Sequence, residues 1–151
     1  MLYLALVTLH LLAVVVWLGG MLFLGLVIIP ALRGRPPAER AALLQVVGRR
    51  FLKIAWAALA ILLVTGPVLW ALRGFVLTPA LSVKLALVAV ILLLSLLHDF
   101  LLGPRLVAAL RKGGEGKETL RLRHRVALLA RVNVLLAIAA FILGMAASRG
   151  L

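Results

Sequence analysis

The chain has 151 residues, 66% of them hydrophobic, and a mean hydropathy of +1.24. This apolar content is far above the roughly 45 to 50% that is typical of soluble domains. It carries 17 Lys and Arg residues against 4 Asp and Glu residues, which gives a net charge of +13. The absence of cysteine excludes disulfides, thiolate metal sites and c-type haem attachment.

Four apolar stretches are each long enough to cross a membrane as a helix, which takes about 20 residues. The sequence therefore predicts an all-α integral membrane protein, a four-helix bundle that forms a single domain over residues 1–151. The first stretch has no basic leader and no small-residue cleavage site, so we expect no cleaved signal peptide. The predicted spans are about 2–30, 51–72, 77–102 and 126–148.

Positive charge is concentrated in two of the connections between the predicted spans. By the positive-inside rule these two connections face the cytoplasm, and the N-terminus and C-terminus are both extracytoplasmic. Because the charges flank spans and lack an aromatic stacking platform, we expect contacts with membrane lipids and no nucleic acid, in a multi-pass protein of the inner membrane. The first connection contains Arg33, Arg35, Arg40, Arg49, Arg50 and Lys53, and the other contains Arg105, Arg111, Lys112, Lys117, Arg121, Arg123 and Arg125.

Local signals refine the predicted helices. Residues 38–50 alternate apolar and basic residues with helical spacing, so this segment either lies along the membrane interface or extends the second span. Pro67 is expected to kink the second span, because proline removes a helical hydrogen bond. Thr78-Pro79 is typical of a helix start, and the basic segment 117–125 is expected to extend the fourth span.

His10 and Lys84 form an outer polar layer within the apolar stretches. At about 1.5 Å per residue, His10 lies some 10 to 13 Å below the outer end of its span, and Lys84 roughly 8 to 10 Å below the outer end of its own. No acidic residue lies near this depth, since Asp99 is about 22 Å along the helix from Lys84. A cationic amine in this setting indicates an anionic ligand from outside the chain.

An inner polar layer consists of His98, Asp99, Arg131 and Asn133. It could form a second metal site or a proton relay, but we expect it to hold an ion pair between Asp99 and Arg131. His10 and His98 should differ in depth by roughly 15 Å or more, too far for two axial ligands of one haem.

Each outer residue has a functional and a structural interpretation. His10 either ligates a haem iron through neutral imidazole or forms a hydrogen bond to a neighbouring helix. Lys84 either binds a carboxylate or extends its amine to the outer interface. Trp17 lies on the same helical face as His10, and Gly20 beside it lacks a side chain, so that a flat ligand or another helix can approach closely.

Several short motifs together resemble a known family, the bacterial four-helix membrane protoporphyrinogen oxidases (the HemJ type). The same positions, together with Thr65-Gly66-x-x-x-Trp70, are also similar to the membrane domain of copper-resistance protein D. The first resemblance implies that His10 is a haem ligand and that Lys84 is a catalytic residue, contacting substrate or a propionate. The motifs are Leu9-His10-Leu11-Leu12-Ala13, Trp17-x-x-Gly20-x-x-Phe23, Arg49-Arg50, Lys84-Leu85-x-Leu87-Val88, His98 and Arg131-x-Asn133.

The leading hypothesis is a haem b protein with a redox role, either porphyrinogen oxidation or electron transfer to a porphyrin or quinone-like partner. Whether it is an enzyme stays open; if it is, the resemblance implies an oxidoreductase. Trp17 and Gly20 would then contact the cofactor beside His10. Because four helices are few for enclosing a macrocycle, a homodimer is plausible.

The alternative hypothesis is a copper-binding or copper-transport protein with a copper ion as the cofactor. Its outer site would use His10, Met145 and Met1, since thioethers are soft ligands for Cu(I). A third hypothesis is a scaffold subunit whose polar layers only specify helix packing.

Overall fold

The computed structural model describes residues 1–111 and 116–150, so Lys112 and Glu115 lie outside the described residues. Within these ranges the chain is helical and contains no strand, and four helices are long and apolar enough to cross a membrane. The predicted all-α membrane fold is therefore confirmed. We call the four helical segments spans one to four: Leu2–Ala31, Pro37–Leu72, Pro79–Arg111 and Lys117–Ser148.

Two of the four spans change helical type along their length. Span one is α-helical over Leu2–Phe23, forms a π turn at Leu24–Ile28 and ends with Ile29–Ala31. Span three is α-helical over Pro79–Leu96, forms a π turn at Leu97–Leu102 and continues as an α-helix over Gly103–Arg111. Spans two and four are α-helical throughout.

The basic segments continue the spans. Span two already begins at Pro37, so residues 38–50 extend it instead of forming a separate interfacial helix. The helix of span four begins at Lys117, as the pattern of residues 117–125 predicts. Span three begins where Thr78 accepts a hydrogen bond at 3.2 Å from the Leu81 amide, the expected N-cap.

The helices pack in two pairs, span one with span two and span three with span four, and span one also contacts span four. The shared core is rich in alanine, which lets the helix backbones approach closely without large side chains between them. Its buried residues are Ala13, Trp17, Ala55, Ala58, Leu59, Ile91, Ala137 and Ala140.

The bundle has two different ends. The terminal end contains Met1, the connection between spans two and three, and Ser148; the basic end contains the two connections rich in Arg and Lys. At the terminal end the Arg73 guanidinium donates hydrogen bonds to the carbonyls of Ala147, at 3.2 Å, and Ser148, at 2.7 Å. These carbonyls carry the negative end of the helix dipole, so Arg73 ties the connection to span four. The orientation of the two ends in the membrane stays a prediction.

Candidate metal-binding site

His10 in span one bonds to a buried threonine of span two. The Nδ1 atom of His10 lies 2.7 Å from Oγ1 of Thr65, whose side chain is only 3% exposed. The Thr65 hydroxyl in turn donates to the carbonyl of Ile61 at 2.7 Å. Because a hydroxyl has a single hydrogen, and this one is used in the bond to Ile61, Oγ1 accepts a hydrogen bond from the N–H of His10 Nδ1.

This chain of hydrogen bonds fixes the tautomer of His10. With the proton on Nδ1, the lone pair of the neutral imidazole lies on Nε2. A metal-ligating histidine usually donates its other ring N–H to an oxygen that also orients the ring. The structure therefore shows the hydrogen bond to a neighbouring helix that was one of the two interpretations of His10, and the same bond leaves the lone pair of Nε2 available.

The backbone of span two lies against the same imidazole. A Cβ atom built on Gly66 would lie 3.7 Å from Cε1 of His10, which is ordinary van der Waals contact. The helix continues without a break through Pro67, and the kink expected there stays a prediction.

Lys84 is half-buried between spans three and four. A Cβ atom on Gly144 would lie 2.9 Å from its Nζ, so the amine occupies the space that this glycine leaves open. In the described part of the chain the contacts between basic and acidic side chains are Arg35 with Glu39 and His98 with Asp99, and neither includes Lys84.

The other residues predicted for an outer site are Gly20, Trp17 and Met145. Phe51 of span two fills the space beside Gly20, because a Cβ there would lie 2.1 Å from its Cε2 atom. The sequence predicts that Gly20 lets either a flat ligand or another helix approach closely, and the structure shows another helix there. Trp17 is 7% exposed within the alanine-rich core, and Met145 is 49% exposed on the surface of the bundle.

Asp99 of the inner layer is held by two donors. The indole Nε1 of Trp56 donates to its Oδ2 at 3.0 Å, and Nδ1 of His98 lies 2.8 Å from its Oδ1. The favoured pairing of Asp99 with Arg131 is wrong, because Arg131 is exposed and the carboxylate is already paired with His98.

Asn133 lies deeper in the bundle and is 6% exposed. Its Nδ2 donates to the Ser95 hydroxyl at 2.9 Å, whereas its buried Oδ1 has no hydrogen-bond partner in the described chain. The predicted second site thus separates into a Trp56, Asp99 and His98 cluster, a buried Ser95 and Asn133 pair, and an isolated Arg131.

The two histidines stay separate. His10 bonds at the level of Thr65, and Trp56 of the inner cluster lies nine residues earlier on the same helix, about 13 Å along its axis. This agrees with the prediction that one haem cannot use both. In the described ranges no group of three His, Asp or Glu side chains is placed to hold a metal ion, so a metal at His10 needs further ligands from elsewhere.

Sequence reasoning did not identify Thr65 as a partner of His10, nor Trp56 as a partner of Asp99. Thr65 belongs to the motif that resembles copper-resistance protein D, but this motif does not show its partner, and a threonine inside a helix often bonds only to its own backbone. The contact of Trp56 with Asp99 joins two spans that are far apart in sequence, so no local pattern indicates it.

Comparisons with known proteins point to one membrane family. The model of copper resistance protein D (CopD) matches residues 45–147. An uncharacterized protein of Aquifex aeolicus (strain VF5) is 39% identical over 98 residues, which cover 64% of this chain and 68% of that protein. No solved structure matches the chain. The CopD match includes Thr65, Lys84 and the inner cluster but begins after His10.

Proposed function

The chain belongs to the copper resistance protein D family, and from this premise we propose that it binds copper, as cargo or as a bound ion, through the imidazole of His10. Four membrane-crossing helices and the family make it a multi-pass inner-membrane protein. Copper binding at His10 is the step that goes beyond the family.

The observation that carries the proposal is the hydrogen-bond chain from His10 Nδ1 through Thr65 to the carbonyl of Ile61. It leaves Nε2 as a lone-pair donor in a ring whose orientation is fixed. Imidazole nitrogen is a good ligand for copper, and a supporting hydrogen bond on the other nitrogen raises its basicity.

The side chains available as metal ligands also limit what kind of copper site this chain can form. With no cysteine and three methionines, the chain offers few of the soft ligands that Cu(I) prefers. His10 is therefore one ligand of a site that is completed from outside, by the molecule that delivers the metal. The open coordination positions suit a protein that receives and passes on an ion.

The experiment is a titration of the detergent-purified, full-length protein with Cu(I) against a chromophoric chelator. We expect His10→Ala to lose one equivalent of bound copper per chain. His124→Ala is the matched control, because His124 is exposed among the arginines at the basic end and should leave copper binding unchanged.

Circular dichroism and gel filtration establish that each variant is folded before copper binding is compared. If folded His10→Ala binds as much copper as the unaltered protein, His10 is not a ligand and the proposal fails. If both histidine variants lose the same amount, binding is not specific to His10 and the proposal fails as well.

Lys84 favours a second candidate function, haem b binding with a redox role. Its amine lies inside the bundle, against Gly144, with no acidic partner among the described residues. A haem propionate would supply the missing negative charge, while His10 Nε2 would ligate the iron. The haem would supply redox chemistry, and porphyrinogen oxidation or electron transfer to a quinone-like partner belongs to this candidate.

An optical spectrum distinguishes the two candidates on the same sample. Haem b binding predicts a Soret band after reconstitution with haem that shifts or disappears in His10→Ala. Lys84→Gln should weaken haem retention while Lys84→Arg preserves it, because only the latter keeps the positive charge. Copper binding without a Soret band in the reconstituted protein would reject the haem candidate.

A further inference from the structure

A cavity between spans three and four, at the basic end of the bundle, is not part of the His10 site. Its volume is about 380 Å³, within the roughly 300 to 1,000 Å³ that is usual for small-molecule sites. The small side chains of Ala108 and Ala109 leave room for it beside the helix Gly103–Arg111. The cavity is lined by Arg105, Ala108, Ala109, Glu118, Thr119 and Leu122.

Two side chains of opposite charge line this cavity without pairing. Arg105 comes from span three and Glu118 from span four, and both are exposed. In the described part of the chain neither forms a salt bridge, and the carboxylates that contact basic side chains are those of Glu39 and Asp99. Glu118 does not pair with Arg121 there either, although a helix brings residues three apart side by side. A positive and a negative group are therefore both available to a molecule in the cavity.

The lining suits an amphipathic molecule with two opposite charges. A guanidinium such as that of Arg105 can bind a phosphate through two parallel hydrogen bonds. The Glu118 carboxylate accepts hydrogen bonds, so it can bind an ammonium group. Ala109 and Leu122 add half-buried apolar surface, and Thr119 adds a half-buried hydroxyl. Phosphate, ammonium and apolar groups occur together in the headgroup region of a zwitterionic phospholipid.

The position along the helices puts the cavity at the depth of lipid headgroups. At about 1.5 Å per residue, Arg105 lies about 39 Å along span three from Pro79, and Glu118 about 45 Å along span four from Ser148. A bilayer is about 40 to 45 Å thick when its headgroups are included. Pro79 and Ser148 are both at the terminal end, so the cavity is expected within the headgroup layer at the basic end. A lipid can therefore fill it without leaving the membrane.

We propose that this cavity binds the headgroup of a phospholipid that carries both a phosphate and a primary amine, as phosphatidylethanolamine does. Arg105 binds the phosphate and Glu118 binds the ammonium group. Glu118 sets the preference, because the many arginines of the basic end attract any anionic lipid, whereas a carboxylate in the cavity repels a headgroup that is only anionic. The site is independent of copper binding at His10, which lies towards the terminal end.

The test is native mass spectrometry of the full-length protein in detergent, titrated with dioleoyl phosphatidylethanolamine or with dioleoyl phosphatidylglycerol, which has a phosphate but no amine. We expect the first bound phosphatidylethanolamine to bind about tenfold more tightly than the first phosphatidylglycerol, which corresponds to about 1.4 kcal/mol. Glu118→Gln should remove this preference, and Arg105→Gln should weaken the binding of both lipids. Glu39→Gln is the matched control, because Glu39 is a carboxylate of the basic end outside the cavity. It should keep the preference.

Circular dichroism and gel filtration again establish that each variant is folded. If the unaltered protein binds both lipids equally tightly, the amine is not recognised and the inference is overturned. It is also overturned if Glu118→Gln and Glu39→Gln lose the preference equally, because the overall charge then sets it. Should Arg105→Gln fail to fold, Ala108→Trp replaces it, since tryptophan at this exposed position fills the cavity and should weaken the binding of both lipids. Unchanged lipid binding in that variant overturns the inference, whereas copper binding at His10 should be the same in every one of these variants.

Discussion

The Nδ1 atom of His10 and the Oγ1 atom of Thr65 lie 2.7 Å apart, and the geometry of the Thr65 hydroxyl makes the imidazole the donor. Two helices are thereby joined by a bond that also decides which ring nitrogen is free. Thr65, which is not itself a ligand, thus decides which ring nitrogen of His10 can bind a metal.

Replacing Thr65 by valine tests this relationship. Valine keeps the shape but removes the acceptor, so we expect copper affinity to fall by about 10- to 100-fold while the helical content stays unchanged. Thr65→Ser keeps the hydroxyl and should retain most of the affinity. A Thr65→Val protein that binds copper as tightly as the Thr65→Ser protein would contradict the supporting role.

Adjacent glycines in span one should differ sharply in their tolerance of a methyl group. Gly20→Ala places a Cβ 2.1 Å from the Phe51 ring, whereas nothing lies within 4 Å of a Cβ at Gly19. We expect Gly20→Ala to cost about 1 to 3 kcal/mol of unfolding free energy, typical of overpacking. Gly19→Ala is the control and should be neutral. Equal unfolding midpoints in a denaturing detergent titration would show that Phe51 does not occupy this space.

The unpaired Oδ1 of Asn133 predicts that an apolar side chain is tolerated there. A buried acceptor without a partner costs about 1 to 3 kcal/mol, and leucine removes it at similar volume. We expect Asn133→Leu to leave the unfolding midpoint unchanged or raise it, although the bond to Ser95 is lost. Asn133→Ala, which leaves a cavity, should lower the midpoint. A larger loss for leucine than for alanine would mean that Oδ1 has a bound partner.

Two tryptophans provide a matched comparison of hydrogen bonds. Trp56 donates to the Asp99 carboxylate and Trp70 to the carbonyl of Val76, each at 3.0 Å. Phenylalanine keeps the aromatic ring but removes the donor in both cases. We expect Trp56→Phe to cost about 1.5 to 3 kcal/mol and Trp70→Phe only about 0.5 to 1.5 kcal/mol, because bonds to charged groups are stronger.

Unfolding titrations of Trp56→Phe and Trp70→Phe measure the free energy of unfolding that each variant loses. If Trp56→Phe loses no more stability than Trp70→Phe, the indole does not hold the Asp99 carboxylate.

The fold was predictable because apolar length alone identifies membrane helices. The four spans follow from it, and the basic extension at 117–125 follows from its continuous helical spacing. The start of span two at Pro37 was one of two alternatives, since an amphipathic segment can either lie on the membrane or lengthen a helix. Nothing in the residue pattern decides between them.

The residue pattern identifies polar side chains within the apolar spans but not the contacts that they make. Depth along a helix placed His10 and Lys84 together and kept His98 apart. Partner choice depends on how helices rotate against each other, so the pairing of His10 with Thr65 was missed. The π turn Leu97–Leu102 changes the direction of Asp99, and charge matching alone chose Arg131 for it wrongly.

The central claim is that Nε2 of His10 binds copper. X-ray absorption at the copper edge of the full-length protein, loaded with one equivalent of Cu(I), tests it most directly, because the spectrum reports which atoms surround the metal. The account predicts imidazole scattering that disappears when His10→Ala is added. An identical spectrum with and without His10 would contradict it.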